Sequence, residues 1–406
     1  MKKINMLLIF LGVAGAVCGF CGCGTTKVDN TDACVYWNSI GLGYMDEDGY
    51  YFLNNEGMLY YFDISENVTV PVCDKAECKH QPLDYNESNT AKCNAQLDCL
   101  YNGFSVYKNK IYYYKSGKEL NRMELHARDL NGANDKKIAT LKANNPECEG
   151  IFYANKLLTV GIFYASESFD PETRQSEDSY LKLFLIDLET GETKEVDRST
   201  LIHNDYAYGM RKGAGGKIYY YRMQDNQFYN VDINTGESKI EDVLIDDVAF
   251  DGSQFDKEKG VGKRYTLFRG DYCFGESIET GKTVYFRLNL LNGDIDNYLE
   301  KESIGEYKDF VGDPLTGNDV YYIQKNFEHP ENNKIFICDI NKNELIELGG
   351  KFITDPGYNT PFLWTDTGAV FDYRFTDSDS FEYRYISRKN LMEGKDSYQK
   401  IYEQIQ

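Results

Sequence analysis

One segment of the sequence concentrates residue types that bind metals or form disulfides. Cys73 and Cys78 are followed by His80 and then by Cys93, in the pattern Cys-x4-Cys-x-His-x12-Cys. Three thiolates and an imidazole are one of the ligand sets of structural zinc sites, although this spacing is not that of a standard zinc finger. Cys99 follows in the same segment. We predict a metal or disulfide cluster of Cys73, Cys78, His80, Cys93 and Cys99, with structural zinc as the candidate cofactor.

Two other states of these cysteines stay open at the level of sequence. In an exported protein, Cys73 could pair with Cys78 or Cys93, and Cys93 with Cys99, as disulfides that staple a long loop. The thiols could also be free and buried. A catalytic Cys–His pair is disfavoured, because a nucleophile needs a positioned base and no accompanying motif supplies one.

The cluster lies between the first two copies of a repeated strand pattern. Seven times, a turn residue or short polar group precedes a strand rich in Tyr, Ile and Val, as in Gly216-Lys217-Ile218-Tyr219-Tyr220-Tyr221. The first residues of these strands are at positions 50, 111, 157, 218, 272, 320 and 370, so the intervals run from 46 to 61 residues. This spacing is typical of propeller blades.

Turn chemistry follows each of these strands at a similar distance. Asp187-Leu188-Glu189-Thr190-Gly191 and Asp232-Ile233-Asn234-Thr235-Gly236 are clear copies, and Ile386-Ser387-Arg388-Lys389-Asn390 is the loosest. A Gly or Asn late in such a turn supplies the positive φ that a return strand needs. Cys273 and Cys338 lie within the strand runs, where we expect them to be small core residues.

The repeats predict an all-β fold. A four-stranded meander of this length cannot bury both faces alone, but copies arranged radially cover each other. We therefore predict a β-propeller of seven blades over residues 34–406, with six or eight blades also open and a Cys/His insertion loop at residues 73–100 between the first two blades. Residues 34–37 and 398–402 are expected to pair within one shared blade and close the ring.

The N-terminus indicates export and a lipid anchor. Lys2 and Lys3 precede an apolar run, which is the order of a secretory signal. Phe20-Cys21-Gly22-Cys23 resembles a lipobox, because a small residue stands directly before the cysteine that would receive the lipid. We predict a signal peptide at residues 1–22, lipidation of Cys23 with palmitate among the acyl chains, and a tether at residues 23–33. An uncleaved membrane helix is the alternative.

The composition narrows the classes of partner. Lys and Arg number 44 against 65 Asp and Glu, which gives a formal net charge of −21 and argues against nucleic-acid binding. Tyr (34) and Phe (23) are too abundant for a disordered acidic chain, and they suit strands that pack rings against each other.

The tyrosine-rich strands also carry a family resemblance. Lys110-Ile111-Tyr112-Tyr113 and Lys217-Ile218-Tyr219-Tyr220 resemble the blades of the low-density-lipoprotein-receptor-like β-propellers found in lipoproteins of Gram-positive anaerobes. The receptor-type Tyr-Trp-Thr-Asp motif reads Tyr-Tyr-Tyr-Lys or Tyr-Tyr-Ile-Gln here, so the Asp-mediated contacts between receptor blades are not carried over. The resemblance implies a propeller fold and a surface location, with no defined activity.

Two classes of function follow from these features. The first is a binding or scaffold module on the extracytoplasmic face of the cell membrane, anchored by its lipid, with a glycan, peptide or envelope protein as partner. The alternative is a carbohydrate-active or other hydrolytic propeller with carboxylates at the channel mouth, for which Asp246, Asp247 and Asp251 are examples. No catalytic motif was found in the sequence, which favours the first class.

Overall fold

Consecutive antiparallel strands form the seven blades of a β-propeller in the part of the chain that the computed structural model describes. An additional strand, β1 (Val35–Asn38), precedes them. The first four blades consist of β2 (Gly43–Met45), β3 (Gly49–Leu53), β4 (Leu59–Asp63) and β5 (Val68–Pro71); β6 (Phe104–Tyr107), β7 (Lys110–Ser116), β8 (Met123–Asp129) and β9 (Lys136–Leu141); β10 (Asn145–Tyr153), β11 (Lys156–Phe163), β12 (Tyr180–Asp187) and β13 (Thr193–Thr200); β14 (Tyr208–Ala214), β15 (Lys217–Arg222), β16 (Gln227–Asp232) and β17 (Ser238–Ile240).

The remaining blades follow a short hairpin of β18 (Leu244–Ile245) and β19 (Val248–Ala249). They consist of β20 (Phe255–Asp256), β21 (Val261–Arg269), β22 (Tyr272–Glu279), β23 (Lys282–Asn289) and β24 (Ile295–Glu302); β25 (Asp309–Pro314), β26 (Asp319–Lys325), β27 (Lys334–Asp339) and β28 (Glu344–Glu347); β29 (Pro361–Trp364), β30 (Gly368–Arg374), β31 (Phe381–Ser387) and β32 (Gln399–Gln404). A short helix, α1 (Arg388–Met392), lies between β31 and β32.

The described residues run from 34 to 404 with gaps. The gaps are 39–42, 46–47, 55, 82–92, 98, 100–102, 118–121, 164–179, 201–207, 223, 226, 242–243, 246–247, 250–254, 257–260, 270–271, 290–292, 303–308, 315–318, 326–333, 348–360, 365–366 and 375–380. The predicted signal peptide, Cys23 and the tether lie outside the described residues, as do Asp246, Asp247 and Asp251. Within the described ranges, no helix has the length and apolar character needed to span a bilayer.

The predicted repeat is confirmed, and its seven strands are β3, β7, β11, β15, β22, β26 and β30. Each is preceded by a further strand of its own blade rather than leading it. The turns that follow in blades 3 and 4 are near copies of each other. Asp187 accepts backbone N–H bonds from Glu189 and Thr190, and Asp232 accepts the same pair from Asn234 and Thr235.

The apolar core lies between neighbouring blades. Ile218 and Tyr220 of β15, for example, pack with Leu158 and Leu183 of blade 3 in one buried cluster. Tyrosine rings supply much of this packing, since Tyr50, Tyr113, Tyr208 and Tyr220 are among the largest fully buried side chains. The rings that repeat in the sequence therefore hold adjacent blades together.

The predicted pairing of the two chain ends is wrong. β1 pairs antiparallel with β10 of the third blade, with Val35 opposite Phe152, whereas β32 pairs with β31 in the seventh. β10 contacts β14 of the next blade and β1 contacts β6 of the previous one, so β1 occupies the inner edge where first strands of neighbouring blades meet. Blades 1 and 7 instead meet through side chains, including Phe52, Tyr383 and Ile401.

Candidate metal centre

The insertion loop begins directly after the outer strand of blade 1. The backbone N–H of Cys73 donates to the Pro71 carbonyl at 2.8 Å, and that of Cys78 donates to the Lys75 carbonyl at 3.1 Å, which closes a tight turn between the two cysteines. His80 has a left-handed backbone with φ of 49°. Non-glycine residues adopt this conformation uncommonly.

The four residues predicted from spacing lie together. One ligand atom from each of Cys73, Cys78, His80 and Cys93 falls within 4.8 Å of every other, and Cys93 Sγ is 3.5 Å from His80 Nδ1. Cys93 is buried, while the other three are partly buried. This places three sulfur donors and one nitrogen donor around a single point.

The surroundings lower the pKa of Cys73 and raise that of Cys93. Burial tends to raise the pKa of Cys73, but backbone N–H groups of Lys75 and Asn94 and the thiols of Cys93 and Cys78 donate to its sulfur, so the pKa falls below its usual value. At Cys93, burial raises the pKa to about 12, although the N–H of Ala95 opposes the shift by donating to Sγ at 3.4 Å. Amide donors thus surround the sulfur atoms that a cation would bind.

The second half of the loop is held against a turn of blade 1. Leu59 donates its N–H to the Ala95 carbonyl and Leu97 donates to the Gly57 carbonyl, both at 2.8 Å. The Gln96 side chain accepts from Cys93 N at 3.3 Å and donates to the Gln81 carbonyl at 2.7 Å, so it links both sides of the loop. These contacts fix Cys93 against a rigid sheet.

Arg128, at the end of β8 in blade 2, holds the same loop from the other side. Its guanidinium donates to the carbonyls of Asn94 at 2.8 Å and Gln96 at 2.9 Å, and to the Tyr113 hydroxyl at 2.6 Å. The side chain is 3% exposed. Arg128 could not be predicted from the sequence, because no local pattern beside it indicates which distant carbonyls its guanidinium contacts.

The carboxylate of Asp135 contacts Arg128 and several other polar side chains of blade 2. Its carboxylate accepts from Tyr113 at 2.6 Å and Lys115 at 3.0 Å, and lies 3.1 Å from His126 Nδ1. Partial burial opposes ionisation of Asp135, but hydrogen bonds from His126 and Tyr113 and the charge of Arg128 outweigh it and hold the pKa well below its usual range. The loop is therefore attached to a charged network in the neighbouring blade.

The other cysteines are placed apart from this group. Cys99 is not among the four; its N–H donates to the Leu97 carbonyl at 2.9 Å, and it packs against the apolar cluster between blades 1 and 2. Cys273 and Cys338 are buried in strands, as predicted. Among the cysteines whose side chains are described, Cys73, Cys78, Cys93 and Cys338 are free thiols.

Comparisons with known proteins reach only the fold. No family model and no curated protein matches the chain. Among solved structures, oligogalacturonate lyase from Vibrio parahaemolyticus aligns with a TM-score of 0.51 at 14% identity, covering 84% of this chain and 88% of that one. The β-propeller domain of the Trilobed protease from Pyrococcus furiosus, described as having an open velcro topology, aligns with a TM-score of 0.44 at 12% identity, covering 84% and 91%. At 14% identity, the first of these alignments shows a likeness of fold alone.

Proposed function

We propose that this protein is a non-catalytic binding or scaffold module of the cell surface. In this proposal the lipid on Cys23 anchors the propeller to the extracytoplasmic face of the membrane, and the loops between strands engage a glycan, a peptide or another envelope protein. The lipobox-like segment and the propeller fold support it, since binding residues are often carried on loops that a rigid scaffold positions.

The observation that carries the proposal is the aromatic packing of β1 at the inner edge between blades 2 and 3. Trp37 is 3% exposed and stacks on Tyr114 and Phe152, with ring centroids 4.8 and 5.8 Å apart. A hydrolytic propeller that works with axial carboxylates needs an open polar pocket between its first strands. Aromatic rings take that space between blades 2 and 3, which favours a scaffold.

A glycan and peptide array tests the binding function. The full-length protein, purified from membranes in detergent, is applied to the array and then to isolated envelope proteins, with heat-unfolded protein as the control. We expect saturable retention of one ligand class by the folded protein alone. Turnover of an oligosaccharide or peptide, measured as new reducing ends or amines, would reject the proposal in favour of a hydrolase.

The anchor is tested separately. Intact-mass spectrometry of the membrane fraction should show a chain that begins at Cys23 and carries diacylglyceryl and acyl groups, and Cys23→Ser should release the protein from membranes. A chain that still begins at Met1 would contradict the anchor and indicate an uncleaved helix.

A further inference from the structure

We propose that Cys73, Cys78, His80 and Cys93 bind one Zn²⁺ in a closed structural site that fixes the insertion loop between blades 1 and 2. This inference is independent of the ligand that the propeller binds. It rests on the distances among the four side chains, on their surroundings and on the loop's contacts with both blades.

The geometry of the four donors is close to that of a tetrahedral zinc site. With Zn–S near 2.3 Å and Zn–N near 2.05 Å, a regular tetrahedron has S···S edges of about 3.8 Å and S···N edges of about 3.6 Å. The separation of Cys93 Sγ from His80 Nδ1 is 3.5 Å, and all four donor atoms lie within 4.8 Å of one another. The donor atoms are therefore near the separations that a tetrahedral zinc site requires.

The type of donor selects the metal. Three thiolates and one imidazole suit Zn²⁺, whereas Ca²⁺ and Mg²⁺ require oxygen ligands. With four protein ligands the site is closed and leaves no position for a water or substrate, which distinguishes it from catalytic zinc. The metal is therefore inferred to have a structural role.

The surroundings of the sulfur atoms support a bound cation. Backbone N–H groups of Lys75 and Asn94 donate to Cys73, and that of Ala95 donates to Cys93. Such donors stabilise thiolates and orient them, as outer-shell hydrogen bonds do at other metal sites. His80 has a left-handed backbone with φ of 49°, and its Nδ1 lies 3.5 Å from Cys93 Sγ. Strained backbone of this kind persists where the surrounding structure compensates for it.

The position of the loop explains what the metal would hold. Cys73 and Cys78 continue from the outer strand of blade 1, whereas Cys93 belongs to the part of the loop that Arg128 of blade 2 holds through the carbonyls of Asn94 and Gln96.

Close packing confirms how tightly this part of the loop meets blade 2. A Cβ at Gly132, in the turn after β8, would lie 2.4 Å from the Asn94 carbonyl oxygen and 2.7 Å from that of Val72. Both the entry and the exit of the loop therefore contact this one turn. Zinc bound by Cys73, Cys78, His80 and Cys93 would tie these two segments together and so preserve the junction between the blades.

Metal content and cobalt spectroscopy test the site. We expect one zinc per full-length chain by elemental analysis, and Co²⁺ added to chelator-stripped, reduced protein should give the intense visible bands of tetrahedral cobalt with thiolate charge transfer. Because zinc binds the folded state, its removal with a chelator should lower the Tm by several degrees, and ZnCl₂ should restore it. Absence of both stoichiometric zinc and the cobalt spectrum, or a disulfide between two of these cysteines in the protein as isolated, would overturn the proposal.

Variants distinguish the four ligands from their neighbours. Cys78→Ser should abolish stoichiometric zinc and the chelator-dependent Tm shift, whereas the matched control Cys99→Ser, in the same loop, should keep both. His80→Cys should retain zinc in a site of four thiolates and shift the cobalt bands. Loss of metal in Cys99→Ser with retention in Cys78→Ser would refute the assignment. If Cys78→Ser does not fold, the cobalt titration of the unmodified chain and of His80→Cys decides the question.

Discussion

Asp135 shows how much the second blade depends on one carboxylate. It contacts Tyr113, Lys115 and His126, and its pKa lies well below the usual range. We predict that Asp135→Asn lowers the free energy of unfolding at pH 7 by about 1–3 kcal/mol, because charge-assisted hydrogen bonds are lost in a partly buried site. Urea unfolding followed by circular dichroism measures the difference.

The pH dependence of this effect has a definite sign. The folded pKa of Asp135 is lowered, so its stabilisation is present above the unfolded pKa of about 3.9 and is lost as the pH falls towards the folded value. The gap between Asp135→Asn and the unmodified protein should therefore be full at neutral pH and shrink below about pH 4. Glu237→Gln, at an exposed ion pair, should change stability by less than about 0.5 kcal/mol at either pH. A gap that stayed constant down to pH 2 would contradict the role of the charge.

At the scale of residues, the candidate metal-binding side chains could be predicted because they lie at short spacings in the sequence. Cys73, Cys78, His80 and Cys93 lie close together in sequence, so a single loop can bring them to one point. Cys99 lies in the same segment, but it packs with Leu97, two residues before it, in the apolar cluster between the blades. Arg128 contacts carbonyls more than thirty residues earlier in the chain, and no local pattern encodes such a contact.

At the scale of elements, the packing of β1 can be tested directly. Its four residues join the third blade, which lies far from them in sequence. We predict that Trp37→Ala lowers the free energy of unfolding by about 3–5 kcal/mol, since it leaves a cavity between Tyr114 and Phe152. Trp37→Phe keeps a ring and should lose clearly less. Thermal and urea unfolding measure both variants, and a change below about 0.5 kcal/mol in Trp37→Ala would show that β1 is not packed.

Sequence patterns predicted some elements better than others. Tyrosine-rich second strands such as β15 are runs of Ile and Tyr that follow a turn, whereas first strands such as β14 contain two glycines and have no such signature. The turn at Ile386–Asn390 was the loosest copy, and the structure explains this. Ser387 caps the short helix α1 there by accepting from Asn390 N at 3.4 Å, in place of a tight hairpin.

The partner of β1 could not be predicted from sequence. Pairing of Val35 with Phe152 joins segments separated by two complete blades, and no turn residues between them indicate this pairing. The expectation of a shared blade treated the two chain ends as partners because both lacked neighbours. Strand pairing over such a separation is decided by which sheet edge is free and which rings fit against it.

At the scale of the molecule, the ring is closed by side chains between blades 1 and 7 rather than by a shared sheet. Phe52 is fully buried there, with ring centroids 5.3 Å from both Tyr383 and Tyr402. Polar contacts add to this junction, since Thr69 donates to the Ile401 carbonyl at 2.6 Å and Asn54 donates to the Tyr402 hydroxyl at 2.9 Å.

We predict that Phe52→Ala opens this junction. The free energy of unfolding should fall by about 3–5 kcal/mol, and hydrogen exchange measured by mass spectrometry should rise first in blades 1 and 7. Tyr402→Phe, which removes one hydroxyl at the same junction, should cost only about 1 kcal/mol. Equal acceleration of exchange in all seven blades would contradict side-chain closure and indicate that the ring unfolds as one unit.

The location of β1 also determines when this strand can pair during translation. Residues 35–38 leave the ribosome before blades 1 and 2, yet their hydrogen-bonding partners are residues 149–152. β1, the first strand of the described residues, therefore lacks its partner β10 until the third sheet emerges, and a growing chain arrested before that point keeps Trp37 without the ring of Phe152. Docking of β1 thus reports that synthesis has passed the third blade.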